Sequence, residues 1–170
     1  MEIMLLLRSY GYRLLVAGAP LILMCCAGTP DNLAKGPHRQ LMPCPASPNC
    51  VSTEAADPDH KMAPLPYRGD RRASRRLILT VIREMPRATV VAQEAHYLHA
   101  EFRSRLFRFV DDVEFVFDDQ AALIRFRSAS RTGYSDMGVN RKRMTAIGEA
   151  YHAAELDDVT AKAPARESAP

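Results

Sequence analysis

The chain has 170 residues, 23 of them basic and 20 acidic, for a net formal charge of +3. That length holds a single domain, and so even a charge balance excludes nucleic-acid capture by bulk electrostatics. Trp is absent and aromatic residues are few, so a core of roughly 115–120 residues has to lean on Leu, Ile, Val and Phe.

The first 26 residues read as a targeting segment. Arg8 and Arg13 precede an apolar run over 14–24, a cationic region followed by a short hydrophobic one. The run is short for a membrane span and Pro20 interrupts it. Cys25-Cys26-Ala27-Gly28-Thr29 follows and resembles a bacterial lipobox. Taking Cys26 as the lipid-bearing residue puts Leu23 three positions before it and Cys25 directly before it. Taking Cys25 puts Ile22 and Met24 there, and Met is a poor small residue. The expectation is a lipoprotein modified at Cys26, with a simple cleaved signal or an uncleaved anchor as the alternative. Residues 27–42 then read as a polar linker between bilayer and domain.

Cys44 and Cys50 are the cysteines past this segment, in MPCPASPNC. In an exported chain, two nearby cysteines separated by turn formers read as a disulfide. Metal ligation with His38 or His60 is the alternative, but no standard zinc spacing is present. Residues 51–67 are polar and punctuated by Pro58, Pro64 and Pro66, which predicts extended chain held down by Leu65 and Tyr67. His60 reads as a loop or capping residue with a functional alternative.

Asp70 is a good N-cap for a helix that Pro86 ends. Leu77 and Val81, with Ala73, Ile78 and Met85, form its apolar stripe. Arg71, Arg72, Arg75, Arg76 and Arg83 fall mostly on the other side, either as a solvated face or as a surface toward anionic lipid. Strands are predicted over 88–93, 97–102, 110–117 and 122–128, with Asp118-Asp119-Gln120 as a turn. Such short connections require antiparallel pairing. After a loop over 130–136, Asp136 or Ser135 caps a second helix running to about residue 154, with Met144, Ile147 and Tyr151 buried. Residues 43–156 therefore read as one α+β domain. It is a two-layer sandwich of a four-stranded antiparallel sheet with two helices on one face, preceded by an extended Pro/Cys-rich segment. Residues 157–170 read as a disordered tail.

Period-two alternation divides the strands. Leu98, Ala100, Phe102, Val113, Phe115, Phe117, Ile124 and Phe126 should face the helices. Tyr97, His99, Glu101, Arg103, Asp112, Glu114, Arg125 and Arg127 should share the opposite face. His99 with Glu101 is the candidate acid–base pair, and Arg103, Arg125 and Arg127 are candidates to clamp a carboxylate or phosphate. The competing reading is that opposite charges simply solvate an exposed sheet face. No nucleophile elbow surrounds Ser104, Ser128 or Ser130, Gly133 and Gly138 do not form a phosphate-binding loop, and no cofactor motif is present.

The segments PCPASPNCVS, YLHAEF and FVDDVEF, with RSASR running on to GVNR, resemble the family catalogued as domain of unknown function 1499, in the same order, over residues 43–150. The resemblance implies a lipoprotein-like protein of a Gram-negative envelope, facing the periplasm, and no established activity. The polar face and these motifs together single out Tyr97, Arg103, Glu114, Arg125, Arg127, Ser130, Arg131, Tyr134, Asp136, Asn140 and Arg141 as ligand-binding candidates. The leading functional expectation is a membrane-tethered domain that binds an envelope ligand or protein through the polar sheet face and the Arg131–Arg143 segment. An enzyme using His99 and Glu101 on a small anionic substrate and a purely structural module are the alternatives.

Overall fold

A computed structural model describes residues 31–154. The expected signal segment, Cys25 and Cys26, and the tail over 157–170 lie outside the described residues. The elements in chain order are β1 (Cys50–Ser52), β2 (Leu65–Pro66), α1 (Arg71–Glu84), β3 (Ala88–Gln93), β4 (Tyr97–Arg103), β5 (Val110–Asp118), β6 (Leu123–Ser130) and α2 (Val139–Ala153).

The sheet is antiparallel, in the order β1-β6-β5-β4-β3, with β2 also pairing to β6. The α+β architecture is as expected, but the sheet has six strands rather than four. The two additional strands are three and two residues long. Strands that short carry no alternation, and the prolines around β2 mark extended chain without revealing its partner. Pro66 fits at such an edge, where a missing N–H costs little.

Helix α1 starts as its sequence dictates: Asp70 is extended, and its carboxylate accepts from the Ala73 amide at 2.7 Å. Ser74, Leu77, Ile78, Val81 and Ile82 are buried at helical spacing. They meet Leu98, Ala100, Phe102, Val113, Phe115, Phe117, Ile124 and Phe126 from the sheet, and Met144, Ile147 and Tyr151 from α2, in one apolar core. Full burial of each large side chain there contributes about 1.5–3 kcal/mol.

Helix α2 begins two or three residues later than a cap at Asp136 or Ser135 implied. Gly138, in the left-handed region at φ 77°, precedes its first residue. Asp136 still satisfies the helix start, accepting from the amides of Gly138 at 2.8 Å and Asn140 at 2.7 Å. Three non-glycine residues near this end of the molecule also adopt positive φ: Arg87 (60°), Arg108 (56°) and Met137 (54°).

The stretch expected to be a linker is packed against the domain from residue 31 onward. Leu33, Ala34 and Leu41 are buried. Lys35 and Gln40 bridge to each other, closing a small turn with Gly36 at φ 77°. Ala34 and Leu41 join Ala92, Tyr97 and Val116 in a second, smaller apolar cluster. This strap covers the sheet face opposite the helices.

Candidate functional site

The strand registers build the second face. His99 lies opposite Glu114, Glu101 opposite Asp112, and Glu114 opposite Arg127. Alternation thus gathers the expected charged side chains. The central ones are not solvated, however: His99, Asp112, Glu114 and Arg127 are all at most 3 % exposed. Groups so placed are stable only when paired, and they form two networks.

The first network centres on Asp112. Its Oδ1 lies 2.7 Å from His99 Nε2, and Arg131 donates to it twice, from Nε at 2.8 Å and Nη2 at 2.7 Å. Burial pushes the Asp112 carboxyl up, but the hydrogen bonds from Arg131 and His99 outweigh it and hold the group below its ordinary value. The hydrogen bonds that Arg131 donates to Asp112 and Glu101 raise its guanidinium against the opposing effect of its burial. Arg131 also bonds Glu101, whose other oxygen accepts from Arg103 at 2.8 Å. His99 and Glu101 therefore address different partners: the imidazole faces Asp112 and the Glu101 carboxylate faces two arginines.

The second network joins the strap to the sheet. Glu114 Oε1 accepts from the Ala34 amide at 2.6 Å and the Tyr97 hydroxyl at 2.8 Å. Burial first, then the Glu114 charge, pushes the Tyr97 hydroxyl far up, so it remains a proton donor. Glu114 Oε2 has no hydrogen-bond partner and lies 3.7 Å from Arg127 Nη1, which donates to the Asn32 carbonyl at 3.3 Å. Burial lowers the Arg127 guanidinium, against the pull of Glu114 and Asp112. Arg39 pairs with Glu94 and lies 4.6 Å over the Tyr97 ring, closing the strap from outside.

The remaining sequence candidates are placed elsewhere. Arg125 pairs with Glu54 and Asp118. Asn140 is fully buried, donating to the Asn49 carbonyl at 3.0 Å and accepting from Ser128 at 2.6 Å, with Ser130 and Asp136 also bonded to its amide. Arg141 donates to the carbonyls of Lys61 and Asp59. Tyr134 is exposed. His60 is buried between the Asp57 carboxylate and the Ser47 carbonyl, a loop-closing position. Cys44 and Cys50 form a disulfide, which removes both thiols from any metal set. Among the described residues no group of His, Cys, Asp and Glu is arranged to hold a metal ion, and no helix is long and apolar enough to cross a membrane.

Sequence reasoning did not pick out Arg87, and it took in Asp111, Lys142 and Arg143 only within longer segments, with no role of their own. Asp111 pairs with Arg143 at 2.5 Å, and the Arg143 guanidinium lies 4.8 Å over the Phe102 ring. These residues line a cleft of about 290 Å³ where the end of α1, the β4–β5 hairpin and the start of α2 meet. Met85, Pro86, Phe102 and Val139 supply its apolar wall, and Arg87, Arg103, Lys142 and Arg143 its cations. Asp111 is the only acid, and Arg143 already neutralises it. A broader depression of about 400 Å³ lies beside Tyr67, Asp70, Arg71 and Asp119, but Arg71 there is engaged by Asp119.

A family model described as protein of unknown function (DUF1499) matches residues 40–150. The chain belongs to that family. The DUF1499 match takes in the Asp112 network, the sheet residues of the second network, the disulfide and the cleft, and it begins within the strap, after Asn32, Ala34 and Arg39. No curated protein and no solved structure matches the chain. Within this DUF1499 domain the motif-bearing segments converge: Asn49, beside the disulfide, and Ser128 and Ser130 of β6 all bond Asn140.

Proposed function

We propose that the protein is a membrane-tethered cell-envelope lipoprotein, anchored through Cys26, that binds an anionic amphiphile at the cleft between α1 and α2. The observation that carries this reading is the division of labour among its charges. On the sheet face, His99, Asp112, Glu114 and Arg127 are buried and answer one another, so they act as internal scaffold. At the cleft, Arg87, Arg103 and Lys142 border an apolar wall with no free acid beside them. That combination suits a phosphate or carboxylate joined to a hydrocarbon portion. The ligand or partner function expected of the polar face thus moves to its neighbouring rim, where Arg103 joins the Asp112 network, through Glu101, to the cleft.

An acid–base enzyme at His99 and Glu101 has less support, because the imidazole is closed in by Asp112 and Glu101 is bound to arginines. Native mass spectrometry of the full chain released from its own envelope, wild type against Arg103→Glu, tests the cleft. A co-purifying anionic amphiphile that the variant loses is the expected outcome. Equal yield from both proteins, or none from either, counts against it. Mass analysis of the mature N-terminus tests the anchor, and an unmodified Cys26 would sink it.

A further inference from the structure

Seven large apolar side chains are exposed among the described residues, and all but Val91 lie at one end. Leu106, Phe107 and Phe109 occupy the β4–β5 hairpin tip, the last two with their rings stacked 5.6 Å apart. Tyr134 and Met137 lie on the loop before α2, and Val139 is its first residue. The two loops leave the same end of the sheet, since the Arg131 amide donates to the Val110 carbonyl. Val139 and the hairpin residues Arg103 and Ser104 also share the cleft wall. Apolar side chains this concentrated on one end mark an interaction surface.

The hairpin tip, SRLFRF, carries two arginines and no acid. Among the described residues no carboxylate forms an ion pair with Arg105, Arg108 or Lys142. Asp136 in the neighbouring loop is occupied in starting α2. Aromatic and aliphatic side chains ringed by unpaired cations match a layer with negative charge outside and hydrocarbon within. A second copy of the chain fits poorly, because self-association would bring Arg105, Arg108 and Lys142 against their own kind.

We infer that this end of the domain docks on the anionic surface of a phospholipid bilayer, with Leu106, Phe107 and Phe109 immersed and Arg105, Arg108 and Lys142 at the headgroups. The inference extends the membrane-tethered reading and rests on it for one argument, that of reach. The strap is already bound to the sheet at Asn32, so only four residues lie between Cys26 and Asp31, a span of at most about 17 Å over the five residue steps. A linker over 27–42 would have let the domain hang clear of the bilayer. A tether this short holds it against the surface. Asn32 is fixed to Arg127, three residues from the β6 end that feeds the docking loops, or about 10 Å along the strand.

The absence of Trp makes the test clean. In the full chain, Phe107→Trp places a lone indole at the tip, and Leu106→Trp provides a second reporter position. Reconstitution into vesicles of phosphatidylglycerol with phosphatidylethanolamine should shift the emission to the blue and allow quenching by brominated acyl chains. Adding Arg105→Glu and Arg108→Glu should weaken immersion about tenfold or more, as expected for reversing two surface cations. A water-like emission from both reporters in these vesicles would overturn the inference. So would equal immersion in pure phosphatidylcholine, or a concentration-dependent blue shift without lipid, which would assign the surface to a second copy. Mass analysis of the same material separates the two readings. A lipidated Cys26 with a wet indole leaves the tether and removes the docking. An immersed indole with an unmodified Cys26 does the reverse.

Discussion

Asp112 shows how a charged residue survives at the centre of a small fold. Its carboxylate is fully buried, and three donor contacts, two from Arg131 and one from His99, replace water. Asp112→Ala leaves Arg131 and His99 without their partner and should cost about 3–5 kcal/mol in denaturant unfolding, as for other broken buried pairs. The pH dependence has a definite sign. The folded carboxyl is held below its ordinary value, near ~3.9, so its contribution is present above that pH and is lost as the pH falls through the lower folded value. Asp112→Asn should flatten that acid limb of the stability curve. Tyr97→Phe removes one donor from Glu114 and should cost about 1.5–3 kcal/mol, the range for hydrogen bonds to charged groups. The same change should speed proteolysis within 31–42, because Tyr97 and the strap share that carboxylate.

Among the elements, α2 is fastened to the sheet edge by a polar residue rather than by its apolar face alone. Asn140 satisfies the Asn49 carbonyl, Ser128 and Ser130 at once. Asn140→Ala should therefore destabilise by about 1–3 kcal/mol through unpaired buried groups, with thermal unfolding as the measurement. The Cys44–Cys50 bridge closes a ring with a sequence separation of 6, so reduction should lower stability by about 2 kcal/mol, read from unfolding with and without reductant. Periodicity was enough to place α1 and the four long strands, because each has a buried side and an open or polar side that repeat. It was not enough for β1 and β2, whose few residues contain less than one repeat. The two faces of the sheet were legible in Tyr97, His99 and Glu101. The cover over Tyr97 was not, because it comes from Ala34 and Leu41, two apolar residues in a stretch that reads as polar linker. The cleft escaped for a related reason: Asp111 and Arg143 are 32 positions apart, and no local spacing announces their pairing.

For the molecule as a whole, the strap divides the protein into a tightly packed sandwich and a lighter cover on its polar side. Amide hydrogen exchange should reflect this, with β5 protected to the level of global unfolding and residues 31–42 opening earlier. The hairpin end of the sheet combines the cleft and the exposed aromatic tip, so the ligand capture and the lipid contact proposed above would share one rim. The backbone at that end has a cost of its own. Arg87, Arg108 and Met137 hold left-handed conformations that glycine would adopt freely, at roughly 1 kcal/mol each. Arg108→Gly should make the isolated protein harder to unfold while weakening its hold on anionic vesicles. Selection for heat resistance alone would then favour exchanging these side chains for glycine, and at Arg108 it would trade away a cation of the proposed docking surface for a sturdier fold.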